Sequence, residues 1–317
     1  MNPIGGYFSL ELPSHEELHQ DALRLNTGRN CLEYILRARQ YRKVYLPYYT
    51  CDVVLEPFHK LNVAYEFYPI DINFELVQEI TLHEDEALLY TNYFGLKQRY
   101  VEKLAEQYGS QLIVDSTQAF YAKPVKGIDT FYTCRKFFGV PDGAYLYTDK
   151  FLDVEFEQDV SWDRMSFLNK RIDLGAEAGY MDFREQSRRL VGQPIKRMSN
   201  LTLRLMQSID YDASALQRRN NFICLHDALA DTNQLHLHLS DDAVPMAYPY
   251  LTDDKSLKNR LIADKVFVAT YWPNVFHWCH SDDWEYYLAE RTVFIPVDQR
   301  YSQADLQRVI QIITGFY

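Results

Sequence analysis

The chain has 317 residues, 47% apolar and 15% aromatic, enough to bury the core of one large domain and a smaller one. Its formal net charge of −11 disfavours non-specific binding to nucleic acid or an anionic membrane. The five cysteines (Cys31, Cys51, Cys134, Cys224, Cys279) form no CxxC pair, which argues against a zinc knuckle and a disulfide framework. The opening MNPIGGYFSLELP lacks the basic start and apolar run of a signal peptide. No apolar stretch reaches the roughly 20 residues of a membrane helix, so a cytoplasmic protein is expected.

Residues 27–39 (TGRNCLEYILRAR) set Cys31, Leu32, Ile35 and Leu36 at helical spacing. Asn26 or Thr27 is the expected cap, and Gly28 suits a tight entry. KVYLPYY (43–49) reads as a strand, CDVVLEPFHKL (51–61) as a short helix interrupted near Pro57, and VAYEFYPID (63–71) as a strand. EALLYTNYF (86–94) reads as a strand, VEKLAEQYG (101–109) as a helix closed by Gly109, and QLIVD (111–115) as a buried strand. TFYTC (130–134) and GAYLYT (143–148) add two more. This alternation predicts an α/β fold with helices flanking a mostly parallel sheet.

Beyond Asp159 the composition changes: residues 161–204 carry nine Arg or Lys against five Asp or Glu. SALQRRNNFICLHDALA (214–230) reads as a helix. LHLHL (235–239), DKVFVATYW (264–272) and TVFIPV (292–297) read as strands, and ADLQRVIQIIT (304–314) as a closing helix. The expected division is a large domain over 1–204 and a smaller C-terminal α+β domain over 205–317.

Ligands of open α/β sheets bind beyond the carboxyl ends of the strands. QLIVD ends in Asp115, followed by Ser116, Thr117 and Gln118; TFYT runs into Cys134, Arg135 and Lys136; and the turn at Asn26–Gly28 opens a helix. A carboxylate, a lysine and an anion-binding helix end are therefore expected on one rim. Pyridoxal 5'-phosphate (PLP) needs these three: a lysine for its aldehyde, a carboxylate to keep its pyridine nitrogen protonated, and backbone amides for its phosphate. Thr133, three residues before Lys136, brings a hydroxyl toward the phosphate.

The segments TGRNC (27–31), VYLPYYT (44–50), TNYFG (91–95), VDSTQ (114–118), FYTCRKFFGVPDG (131–143) and PVDQRY (296–301) resemble the DegT/DnrJ/EryC1/StrS family of sugar aminotransferases. The resemblance runs in the same order over most of the chain and is strongest from 111 to 148. It implies the PLP-dependent transferase fold of type I, with Lys136 carrying the cofactor and Asp115 pairing with the pyridine nitrogen. It further implies that Gln118 bonds the ring hydroxyl and that Gly28, Arg29 and Thr133 hold the phosphate. The family are dimers that move an amino group, usually from glutamate, onto a nucleotide-linked keto-sugar.

The chain departs from the family in being shorter. Cys51 stands where an aromatic residue often covers the PLP ring, leaving Tyr48 or Tyr49 to stack. Lys136 separates it from the branch that carries histidine there. A net charge of −11 makes a local positive field necessary for a sugar diphosphate, and the 161–204 segment supplies one, with Arg184 or Arg188 the expected contacts. His236 and His238, followed by Asp241 and Asp242, lack a clear further ligand, so no metal is expected. The alternatives are a PLP enzyme on another amino substrate, or a PLP-fold binding or regulatory module with little turnover.

Overall fold

The computed structural model of the chain describes residues 4–315; the first three residues of the N-terminal stretch read above lie outside them. Seven strands form the main sheet: β1 (Leu23–Leu25), β2 (Lys43–Pro47), β3 (Ala64–Tyr68), β4 (Glu86–Thr91), β5 (Leu112–Asp115), β6 (Asp129–Thr133) and β7 (Ala144–Tyr147). Their order is β1-β7-β6-β5-β4-β2-β3. The pairs from β3 to β6 are parallel, whereas β7 runs antiparallel to both β6 and β1.

Alternation along the strands divides the core between the two faces of this sheet. Ala87 and Leu89 of β4, Ile113 of β5 and Phe131 of β6 pack with Leu32, Ile35 and Leu36 of helix α1 (Gly28–Arg39) and with Phe58 of α2 (Leu55–Leu61). Leu88 and Tyr90, Leu112 and Val114, and Tyr132 face the other way, onto Val101 and Leu104 of α3 (Gln98–Tyr108). The result is a helix–sheet–helix sandwich around a mostly parallel sheet, the α/β class expected. Pro57 does not interrupt α2, because it falls in the first turn, where the missing N–H costs no helical bond.

After the sheet come α4 (Ser166–Leu174) and α5 (Tyr180–Arg189), then α6 (Asn200–Met206) and the long α7 (Tyr211–Leu229). A two-stranded antiparallel sheet pairs β8 (Ala247–Leu251) with β9 (Thr292–Pro296). The remaining helices are α8 (Leu257–Ala263), α9 (Val275–Trp278), α10 (Trp284–Arg291) and α11 (Gln303–Thr314). Phe222 and Leu225 of α7, Leu257 and Leu261 of α8, and Leu306 and Val309 of α11 close an apolar cluster over β8 and β9.

Two strand expectations are corrected here. Residues 235–239 form no strand: Leu235 is buried and Leu237 packs on the core, but Gln234 N–H to the Leu251 carbonyl, 3.1 Å, is the backbone tie beside them. Residues 264–272 contribute a single bridge, Ala269 to Phe294. Among the described residues no helix is long and apolar enough to cross a membrane.

Candidate active site

One cleft gathers the carboxyl ends of β4, β5 and β6 with the N-terminus of α1. Asp115 is the last residue of β5 and lies in register with Thr91 on β4 and Phe131 on β6. Its Oδ1 accepts the Thr117 N–H at 2.8 Å, which fixes the carboxylate at the cleft floor. Thr117 turns its hydroxyl to Lys136, whose Nζ donates to Oγ1 at 2.9 Å. Thr117 thus links the two, its hydroxyl to Lys136 and its amide to Asp115, with Lys136 itself exposed to the cleft. Thr91 lines the same cleft and its buried Oγ1 has no partner.

The N-terminus of α1 enters from the side. Thr27 caps it by accepting the Asn30 N–H, and Cys31 closes the first helical bond onto the Thr27 carbonyl. The Gly28 and Arg29 amides precede that bond and so belong to the unpaired first turn. A Cβ on Gly28 would stand 3.3 Å from Thr117 Cγ2, so glycine lets the helix start settle against the Thr117 turn. The Arg29 guanidinium also borders the cleft and is paired with Glu56, which accepts the Gly192 N–H as well, at 2.8 Å.

The turn that presents Lys136 is anchored on all sides. Cys134 N–H donates to the Gly143 carbonyl at 3.0 Å, and Gly143 N–H donates to Asn26 at 2.7 Å, which joins the turn to the approach of α1. Gly143 has a φ of +105° and no room for a side chain, since a Cβ would lie 2.8 Å from Thr202 Cγ2. Asp142 is fully buried and accepts from Ser199 N–H (3.0 Å), Ser199 Oγ (2.8 Å) and Thr202 Oγ1. The Phe137 carbonyl accepts from Arg218 Nη2 at 3.1 Å and Gln299 Nε2 at 3.2 Å.

Of the residues singled out from sequence, Gly28, Arg29, Asp115, Thr133 and Lys136 all line this cleft. Gln118 is buried, its Oε1 accepting the Phe94 N–H at 3.0 Å and its Nε2 without a partner. Tyr48 stacks on Phe67 at 5.0 Å. Tyr49 is buried behind Trp272, edge to face at 5.1 Å, and burial holds its phenol well above the usual range. Arg184 and Arg188 are exposed on α5 outside the cleft, and Arg188 pairs with Glu185 at 3.5 Å.

Trp272, Thr117 and Arg135 are among the cleft-lining residues that sequence reasoning passed over. Trp272 arrives from the C-terminal part and lines the cleft together with Cys51, whose thiol is raised by burial, with the Lys136 charge opposing. Thr117 was read only as a neighbour of Asp115, although it bridges Asp115 and Lys136. Arg135 borders the cleft beside Arg29, and burial followed by the Arg29 charge pushes it down to about 10. Its position before Lys136 was the one available signal.

No protein-family model matches the sequence, and no curated protein matches it. The structure is similar to a DegT DnrJ EryC1 StrS aminotransferase from Brucella abortus, with a TM-score of 0.60 at 14% identity over 93% of this chain and 85% of that one. It is similar to the sugar aminotransferase CalS13 from Micromonospora echinospora, with a TM-score of 0.62 at 15% identity over 94% and 88%. It is also similar to DesI, solved in the presence of its TDP-sugar product, with a TM-score of 0.63 at 15% identity over 92% and 79%. Identity this low speaks to fold: the chain has the architecture of these sugar aminotransferases, which is the fold its sequence motifs implied.

Proposed function

We propose that the chain is a PLP-dependent aminotransferase that transfers an amino group from glutamate to a nucleotide-linked keto-sugar, in cell-surface polysaccharide or glycosylated-metabolite synthesis. The observation that carries this is the meeting of Lys136 Nζ, the Asp115 carboxylate and the free α1 amides in one cleft. The residues fit the cofactor: an amine for its aldehyde end, an acid for its ring nitrogen, and unpaired donors for its phosphate. When bound, the cofactor supplies an electron sink for the substrate carbon that exchanges its amine. Lys136 Nζ would bind the aldehyde end and, as the nearest amine, would move the proton to and from that carbon. Asp115, fixed by Thr117 N–H, would form a charge-assisted pair with the ring nitrogen.

Trp272 lines the cleft whereas Tyr48 and Tyr49 do not, so Trp272 would cover the ring. Gln118, buried beside the cleft with Nε2 free, would serve the ring hydroxyl. The Gly28 and Arg29 amides and the Thr133 hydroxyl take the phosphate. The nucleotide-sugar acceptor is suggested by DesI, whose structure was solved with a TDP-sugar product, and Arg184 or Arg188 on α5 would meet its diphosphate. A homodimer is supported by the exposed apolar residues of the same region, Trp162, Ile172 and Leu174 among them.

Borohydride treatment of the cofactor-loaded protein should fix the cofactor to the peptide containing Lys136, and glutamate should change the visible absorption beforehand. Asp115→Asn should keep cofactor and lose most turnover. Labelling at Lys123 or Lys126 would refute the site. An unchanged spectrum with glutamate would refute the donor alone.

A further inference from the structure

Arg135 is an unusual guanidinium. It is half-buried as a residue, yet its Nε is sealed from solvent without a partner. Its Nη2 reaches only the Ser187 hydroxyl, at 3.3 Å, and its central carbon lies 5.8 Å from the Phe183 ring centre. A guanidinium has five donors to satisfy. Among the described residues no carboxylate lies within ion-pair distance of it, whereas the neighbouring Arg29 and Arg164 are paired with Glu56 and Asp159. The charge of Asp142 favours it from nearby, but both Asp142 oxygens are engaged by Ser199 and Thr202. A largely desolvated cation with neither a carboxylate nor carbonyl acceptors for its donors is costly to keep unless an anion joins it.

The cleft indicates where that anion sits. Arg135 and Lys136 leave the same turn in different directions, Lys136 toward Thr117 above Asp115, and Arg135 toward α5 and Arg29. The first-turn amides of α1, a twelve-residue helix, border the same cleft. A ligand held by both residues must therefore be reactive toward an amine at one end and anionic at the other.

We infer that Arg135 is a side-chain ligand of the phosphate monoester bound at the N-terminus of α1. This rests on the cofactor assignment proposed above and makes that phosphate the missing partner of Arg135. Arg29 contributes its amide, because Glu56 already neutralises its guanidinium. The charge on Arg135, rather than the neutral amides alone, would then set how strongly the phosphorylated cofactor is preferred over its dephosphorylated form.

The test compares PLP with pyridoxal, which has the same ring and aldehyde but no phosphate. Affinities for the apo-protein are read by tryptophan fluorescence and by borohydride-fixed cofactor. Arg135→Gln should weaken PLP roughly 10- to 100-fold and leave pyridoxal within about twofold. Inorganic phosphate should compete with PLP on the wild type and much less on the variant. Arg135→Lys keeps a cation without the planar fork; it should fall between the two and serves if Arg135→Gln does not fold. Unchanged PLP affinity in both variants would overturn the inference and leave Lys136 untouched. Equal loss of PLP and pyridoxal would also overturn it, as a disturbed turn rather than a lost phosphate ligand. A wild type that binds neither compound would fail the cofactor assignment itself.

Discussion

The turn that carries Lys136 and the helical pair α4–α5 stand side by side, and they are built in opposite ways. Gly139 approaches Leu168, and Gln186 of α5 donates to the Pro141 carbonyl at 3.0 Å, so the two regions touch. The turn is held by buried polar groups: Asp142 under α6, and Arg218 with Gln299 on the Phe137 carbonyl. The pair α4–α5 has one buried residue, Gln186, and exposes Ile172 at 83% and Leu174 at 69%. Its ties are an aromatic contact, Phe167 to Phe183 at 5.6 Å, and exposed ion pairs such as Lys170 with Asp182 at 2.9 Å. Such pairs contribute little in water. The floor of the cleft is therefore fixed within one chain, while the rim leaves apolar surface uncovered.

The largest expected effect lies on the floor. Arg218 is 1% exposed, and besides Phe137 it serves the carbonyls of Pro245 and Met246 while its cation lies 4.5 Å from the Phe137 ring. Arg218→Met keeps the apolar stem and removes every donor. It should destabilise the protein by about 3–5 kcal/mol, as losses from buried charged networks do. Gln299→Leu should cost less, because Arg218 keeps its three carbonyl acceptors and loses only the Gln299 Oε1 that accepts its Nε–H at 2.9 Å. Urea unfolding decides both, and a shift under 1 kcal/mol for Arg218→Met would break the contrast between floor and rim.

A pH experiment sharpens the same contrast. His19 is buried beneath the turn among Phe120, Tyr132 and Tyr145, with Phe120 in turn 5.1 Å from Phe138. Its Nε2–H donates to the Phe120 carbonyl at 2.7 Å, which leaves Nδ1 to accept from the Tyr147 hydroxyl at 3.2 Å. Burial lowers it from the ordinary 6.5 to about 4. The unfolded chain then binds the extra proton first, so stability from His19 is complete above pH 6.5 and is lost as pH falls toward 4. The full loss is about 3 kcal/mol. His19→Gln keeps a donor and cannot titrate, so its stability should fall less between pH 7 and pH 4 than that of the wild type. Parallel pH curves would count against His19.

How much of this was legible in the sequence follows from what each element depends on. The α1 cap, the parallel strands and the positions of Asp115 and Lys136 are set by local periodicity and by the rule that sites sit at strand ends. The 235–239 alternation recorded the burial of Leu235 and Leu237, but no ladder partner makes it a strand. β8 was not read from the sequence at all; its Pro249, which disfavours a strand interior, pairs with Phe294 in a two-stranded sheet, where a proline is tolerated. Trp272 reaches the cleft only through tertiary packing. Arg135 sat in plain view beside Lys136, but side-chain direction inside an irregular turn has no periodicity to reveal it.

The smallest effect on folding is expected at the rim, where the effect on assembly should be clearest. Trp162 is 75% exposed, and with Ile172 and Leu174 it offers the solvent apolar area that a monomer rarely keeps without a use. Exchanging these three for Ser removes little buried contact, so unfolding of the single chain should move by no more than about 0.5 kcal/mol per site. A second copy seated on this face would feel the loss of the same side chains directly, since dimer contacts draw on buried apolar groups. Sedimentation at micromolar concentration should then show a dimer for the wild type and dissociation for the triple variant. A wild type that sediments as a monomer would remove the partner from the comparison. A triple variant that stays dimeric would move the interface away from α4–α5, and with it the reason for this rim to remain apolar.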